Sequence, residues 1–244
     1  MTKTLIMKYG AITVFACLSA ACSKSPCDER NLDELITETV LTAEDQARLT
    51  SEQIIQSLKD GNVRFCGGRL TLRNHSKQVR DAANGQHPKA VVLSCLDSRI
   101  PVEDVFDKGI GDMFVARVAG NVVNEDILGS LEFGCAVAGA KVIVVMGHEN
   151  CGAIKAGIDR IETGNIAFLV RKIGRAVDQV NSFAGEKASS NKAYVHAVTV
   201  ANIQTSLSDI RKNSPTLAKL ESEGKLKIVG ALYDLDTGEV MFLN

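Results

Sequence analysis

Residues 141–152 read KVIVVMGHENCG, and this stretch decides the fold. Lys141–Gly147 is a short apolar run, almost wholly β-branched and without alternation, which is the pattern of a strand covered on both faces. It ends in His148-Glu149-Asn150-Cys151-Gly152, and Cys151–Ile161 beyond it has a helical pattern. Upstream, Lys89–Cys95 (KAVVLSC) is a second continuous run, and Asp112–Val118 (DMFVARV) alternates and is rich in β-formers. Downstream, Lys225–Tyr233 (KLKIVGALY) and the short Glu239–Leu243 follow, with Asp236-Thr237-Gly238 as a tight turn that makes them a hairpin. Between these runs lie helical patterns: Asn124–Ala138, with Ile127, Leu128, Leu131 and Phe133 in register, then Ile166–Phe183 and Asn191–Lys212. Strands alternating with helices predict an α/β fold with a mixed, mainly parallel central sheet, flanking helices and a terminal antiparallel hairpin.

The chain has 244 residues, a net charge of −1, 45% hydrophobic and 23% charged residues. That composition supports one sizeable core and excludes disorder of the whole chain. A near-neutral balance argues against a nucleic-acid binder, and no apolar run in the body of the chain is long enough to span a membrane. Trp is absent and aromatics are 5%, so stacking platforms for bases or sugars are disfavoured. Seven cysteines are an odd number, so intramolecular disulfides alone cannot account for them.

Residues 1–22 read as an address. Lys3 and Lys8 form a basic start, Tyr9–Cys22 carries no charge, and the stretch closes on Leu18-Ser19-Ala20-Ala21-Cys22. A short apolar run after a basic start is a secretory signal. The closing residues resemble a bacterial lipobox with Cys22 as the acylated residue, although its large aliphatic residue, Leu18, sits one position further out than usual; ordinary signal-peptide cleavage is the competing reading. Either way the protein is expected outside the cytoplasm, in the periplasm or envelope, touching membrane only through a lipid anchor. Residues 23–50 read as a polar tether and N-terminal helical arm, with a helix around Leu32–Leu41. A second helix is expected after Thr50, with Ile54, Ile55 and Leu58 on one face. The main folded domain is placed at 51–244.

Ligands of open α/β sheets bind beyond the carboxyl ends of the strands. Two such ends carry reactive residues: Cys95-Leu96-Asp97-Ser98-Arg99 and His148-Glu149-Asn150-Cys151-Gly152. Cys95, His148 and Cys151 supply two thiolates and an imidazole, a ligand set suited to zinc, and three protein ligands leave a fourth position open. Asp97 lies two residues past Cys95, on the same side of an extended segment. It would either bind the metal as a fourth ligand or, paired with the planar fork of Arg99, accept a hydrogen bond from a water on the metal. A Cys95–Cys151 disulfide in an exported protein, or a purely structural zinc with Asp97 as permanent ligand, are the competing readings of these residues.

Together the segments resemble the β-class carbonic anhydrases. Cys95-Leu96-Asp97-Ser98-Arg99 matches the family's Cys-x-Asp-Ser-Arg, and His148-Glu149-Asn150-Cys151-Gly152-Ala153 its His-x-x-Cys-Gly. Gly111–Asn121, Ser130–Phe133, Gly61–Phe65 and Val229–Asp234 with Thr237-Gly238 are similar to further family segments in the family's order, so the resemblance covers roughly 50–243. It implies reversible hydration of carbon dioxide to bicarbonate and a proton by attack of zinc-bound hydroxide. It also implies one zinc per subunit on Cys95, His148 and Cys151, with Asp97 binding zinc only in a resting form and pairing with Arg99 in the active one. Gly152 beside Cys151 would allow substrate or product to approach, or simply ease the start of the helix. The family forms homodimers or tetramers, and some members carry a Trp-containing regulatory bicarbonate pocket, which a chain without Trp cannot build in that form. Relatives that hydrolyse carbon disulfide or carbonyl sulfide on the same site, and a non-catalytic zinc protein of the envelope, are the alternatives.

The other candidates have plainer readings. His75 and His87 are expected on polar connecting segments and His196 within a helix. Gly120 and Asn121 are read chiefly as turn-formers. Cys66 and Cys135 are expected as small core residues, and Cys27 as free or intermolecularly paired.

Overall fold

Val142, Ile143, Val144 and Val145 are stiff at χ1 and suit a pleated strand. In the computed structural model, which describes residues 39–243, they belong to β3 (Val142–His148), buried at every position. β1 (Ala90–Ser94) flanks it on one side and β4 (Lys227–Tyr233) on the other, both parallel to it. β2 (Met113–Arg117) lies parallel outside β1, and β5 (Val240–Leu243) runs antiparallel outside β4. The order is β2-β1-β3-β4-β5, the mixed, mainly parallel sheet with the terminal hairpin that the sequence pattern predicts.

Alternate residues of the central strands feed two cores. Val91, Leu93, Ile143, Val145 and Ile228 pack on one face with Ile203, Leu207 and Ile210 of α8 (Lys192–Asn213). Ala90, Val92, Val142, Val144 and Met146 pack on the other with Ile54 and Leu58 of α2 (Ser51–Cys66) and Phe106 just past α4 (Val102–Val105). Each large aliphatic side chain so buried contributes about 1.5–3 kcal/mol. The remaining helices are α1 (Ala43–Arg48), α3 (His75–Ala82), α5 (Glu125–Glu132) running into a π-helical turn (Phe133–Val137), α6 (Gly152–Ile158), α7 (Ile166–Gln179) and α9 (Pro215–Ser222). Among the described residues no helix is long and apolar enough to cross a membrane.

Several details differ from the sequence reading. The leader, Cys17, Cys22, Cys27 and most of the Leu32–Leu41 helix lie outside the described residues. Residues 39–41 are not helical, because Thr42 caps a helix that starts one residue later: its side chain accepts the Asp45 N–H while Asp45 reaches back to the Thr42 N–H. Gln46 of α1 donates to the carbonyls of Pro88 and Ala138, so this arm is docked on the domain. His75 opens α3 rather than sitting in a connecting segment, with Asn74 as the cap. Cys66, the last residue of α2, is exposed, whereas Cys135 is buried and its thiol is pushed up to about 12 by that burial.

Asp107 pins the start of the domain. Its side chain is fully buried and takes hydrogen bonds from Arg64 Nε (2.5 Å), Arg73 Nη1 (2.6 Å), Thr71 Oγ1 (2.7 Å) and Thr71 N (3.1 Å). Burial pushes its pKa up, but the two arginines and Thr71 outweigh it and hold the carboxyl well below the usual range. The stability from a depressed carboxylate is present above its unfolded pKa of about 3.9 and is lost as pH falls through the folded value. Asp107→Ala removes the buried carboxylate that pairs with Arg64 and Arg73 and is expected to cost about 3–5 kcal/mol at pH 7. In urea melts the gap between variant and wild type should be constant from pH 6 to 8 and narrow below pH 4.

Candidate metal centre

β1 and β3 are hydrogen-bonded neighbours, and their register sets Ser94 beside Met146. Cys95 therefore leaves β1 at the level of Gly147, one residue short of His148, the last residue of β3. Cys151 caps α6 three residues on, and Asn150, with φ of 54°, makes the reversal that brings it back. The ligand atoms of Cys95, His148 and Cys151 all lie within 4.8 Å of one another, and all three residues are buried.

The geometry fits zinc. The two sulfurs are 3.9 Å apart, and thiolates each about 2.3 Å from a tetrahedral zinc are separated by about 3.8 Å. His148 Nδ1 lies 2.8 Å from the Glu149 carbonyl oxygen, which places the proton there and leaves the Nε2 lone pair for the metal. Nε2 is buried with no hydrogen-bond partner, an orphan that costs about 1–3 kcal/mol unless something binds it.

The thiols are graded. Cys95 is drawn down, chiefly by the hydrogen bond from Cys151, with the N–H groups of Gly120 and Asp97 adding to it against burial. Cys151 is pushed up by that same bond, by burial and by the charge on Cys95, although the N–H groups of Ile154 and Ala153 favour its thiolate. One proton leaves readily and the second resists; a divalent cation between the sulfurs removes the resistance.

Asp97 and Arg99 form a closed pair beside the cluster. Oδ1 accepts from Arg99 N (3.0 Å) and Nε (2.9 Å), and Oδ2 accepts from Nη2 (2.6 Å). The guanidinium holds the carboxyl well below the usual range. Oδ2 sits 3.8 Å from His148 Nε2, so the carboxylate faces the metal position while tied to Arg99. Gly152 is exposed at the first turn of α6, and a Cβ there would meet nothing within 4 Å, so tight packing does not require glycine. A cleft of about 640 Å³ adjoins the centre, with Arg99, Glu149, Asn150 and Lys155 in its lining.

Three residues that the sequence reading passed over, Arg117, Asn202 and Ser206, hold this arrangement together with Gly120, which it read chiefly as a turn-former. Arg117, at the end of β2, donates to the carbonyls of Cys95 (3.1 Å), Asp97 (2.6 Å) and Ile100 (3.0 Å), clamping the loop that carries Cys95, Asp97 and Arg99. Gly120 does more than turn the chain: its N–H donates to Cys95 Sγ at 3.3 Å, from a φ of 71° that favours glycine. Asn202 donates to the Gly120 carbonyl and Ser206 to the Asn121 carbonyl, fixing that turn from α8. The one available signal was Arg117 itself, a lone charge ending an apolar strand.

Residues 90–240 match the family model described as carbonic anhydrase. The chain is 35% identical over 187 residues to the carbonic anhydrase of Mycolicibacterium smegmatis, covering 76% of this chain and 89% of that one. It is 33% identical over 189 residues to carbonic anhydrase 2 of Mycobacterium tuberculosis, with the same shares. Among solved structures it is similar to one of two tetrameric β-carbonic anhydrases of Sordaria macrospora, with a TM-score of 0.62, 21% identity, and 80% of this chain and 98% of that one covered. A β-carbonic anhydrase of Coccomyxa in complex with acetazolamide gives a TM-score of 0.61 at 23% identity, over 79% and 82% of the two chains.

Arg117→Ala frees three carbonyls on the loop of Cys95. It is expected to lower zinc affinity by about 10–100-fold, the usual cost of removing a group that orients a ligand, as measured by competition with a chromogenic chelator.

Proposed function

The chain belongs to the β-class carbonic anhydrase family, and we propose from that premise how its centre carries out the reversible hydration of carbon dioxide to bicarbonate and a proton. The observation that carries the reading is the Cys95–His148–Cys151 cluster with the Arg99-held Asp97 carboxylate facing it. Zinc is the metal, on Cys95, His148 and Cys151; bound there it supplies Lewis acidity that acidifies water toward neutrality, as described for the unrelated three-histidine carbonic anhydrases.

The protein's own groups do the rest. Arg99 keeps Asp97 ionised and away from the metal as a ligand. Asp97 Oδ2 gives one lone pair to Arg99 Nη2 and has another for the hydrogen of the attacking water, which aims the oxygen at the substrate. Val122, Ile154 and Ile173 pack with Cys95 and Cys151 and back the centre with apolar side chains. The exposed Gly152 leaves a side-chain-free approach on the Cys151 side.

We further propose a homo-oligomer, as in the tetrameric Sordaria relative; β2 is an edge strand whose Phe114 packs on a half-exposed Phe133. Export is proposed from Lys3 and Lys8 followed by the uncharged stretch 9–22, with acylation at Cys22 from the Leu18–Cys22 pattern.

Asp97→Asn is expected to keep its zinc and lose a hundredfold or more of carbon dioxide hydration in stopped-flow assays. Unchanged turnover would remove Asp97 from the mechanism, and wild type with neither zinc nor hydration would overturn the whole reading. Intact-mass measurement of the protein from the envelope is expected to show a chain beginning at Cys22 and carrying acyl mass; retention of Met1 would overturn export.

A further inference from the structure

The turn from β3 into α6 carries the acceptor that orients His148, and that turn is tied to a distant helix. His148 Nδ1 is held by the Glu149 carbonyl oxygen at 2.8 Å. The Glu149 N–H donates to the Tyr233 carbonyl at 3.0 Å, the last bond of the β3–β4 ladder, and at Asn150 the chain leaves the sheet with a φ of 54°. The Glu149 carbonyl therefore belongs to the part of the turn that the sheet no longer holds. Its tie comes from the Glu149 side chain, whose Oε1 lies 2.5 Å from His196 Nδ1. His196 stands on α8, whose Tyr194, Val195 and Val198 are packed in the same apolar cluster as Cys95 and Cys151. The helix is thus rigid with respect to the metal position.

We infer that His196 and Glu149 together are positioning residues for the zinc ligand His148: the His196–Glu149 bond fixes the Glu149 peptide, and that peptide fixes the imidazole. The Glu149 carboxylate accepts and His196 Nδ1–H donates, so the function needs a donor at that place. The pair is partly exposed, with side chains 46% and 30% accessible, so it adds little to global stability and its effect falls on local geometry. The inference rests on the zinc reading of the centre.

The test compares wild type with His196→Ala, Glu149→Ala, the double variant and His196→Asn, whose amide nitrogen takes the place of Nδ1. Zinc affinity by chelator competition is expected to fall about tenfold in either alanine variant. The double variant should fall no further, and His196→Asn should recover most of the loss. The ligand-field bands of cobalt-substituted protein should shift in the alanine variants and return in His196→Asn. Equal affinities in all five proteins, additive losses in the double variant, or a fall in the melting temperature of metal-free protein with affinity unchanged would each overturn the inference. If wild type itself fails to take up zinc, the function reading falls with it, which separates that failure from failure of the pair alone.

Discussion

Parallel pairing of β1 with β3 is the constraint on which the centre depends. The register that sets Ser94 beside Met146 delivers Cys95 and His148 to one edge of the sheet within a residue of each other. A one-residue slip would turn every side chain of a strand to the opposite face. Here that would move Val91 and Leu93 out of one core and Ala90 and Val92 out of the other. Core packing thus enforces ligand geometry, and the metal site needs no separate device to bring its two strands together. Glycines sharpen the fit: a Cβ at Gly147 or Gly230 would come within 2.8 or 2.9 Å of Ile203, so α8 lies close against the strands at this point.

Burial of two thiols beside an unpartnered imidazole nitrogen is costly in the absence of a cation. The fold reduces that cost with backbone donors, Gly120 and Asp97 toward Cys95 and Ala153 and Ile154 toward Cys151. These donors are still insufficient for the second thiolate. A divalent ion completes the balance, so metal binding adds to the stability of this corner of the fold as well as supplying reactivity.

The strands were legible because each is a short apolar run rich in β-formers, and all five lie within a residue or two of the expected spans. α3 and α4 were not, since HSKQVRDA has no apolar period and four residues are too few to show one. α9 carried a signal, Ser214 followed by Pro215, the N-cap and first position of a helix, though its apolar content is slight. The ligand residues were legible because their chemistry is rare at strand ends. The groups that orient them were not, because they act through backbone atoms: Arg117 through three carbonyls, Gly120 through one N–H. Apart from the lone charge that Arg117 places at the end of β2, side-chain chemistry does not mark a residue for that work, and the path of the chain shows it.

α8 links these supports. Asn202 and Ser206 hold the Gly120–Asn121 turn and thereby the donor to Cys95. Six residues before Asn202, His196 holds Glu149 and thereby the acceptor for His148. The ladder of β1 and β3 sets where the two ligands leave the sheet, but it cannot set how their side chains turn once the strands have ended. That second job falls to one long helix that bonds to the turns beside both ligands. A shift of α8 would therefore disturb the thiolate and the imidazole together, while a change in either turn alone would disturb only one of them.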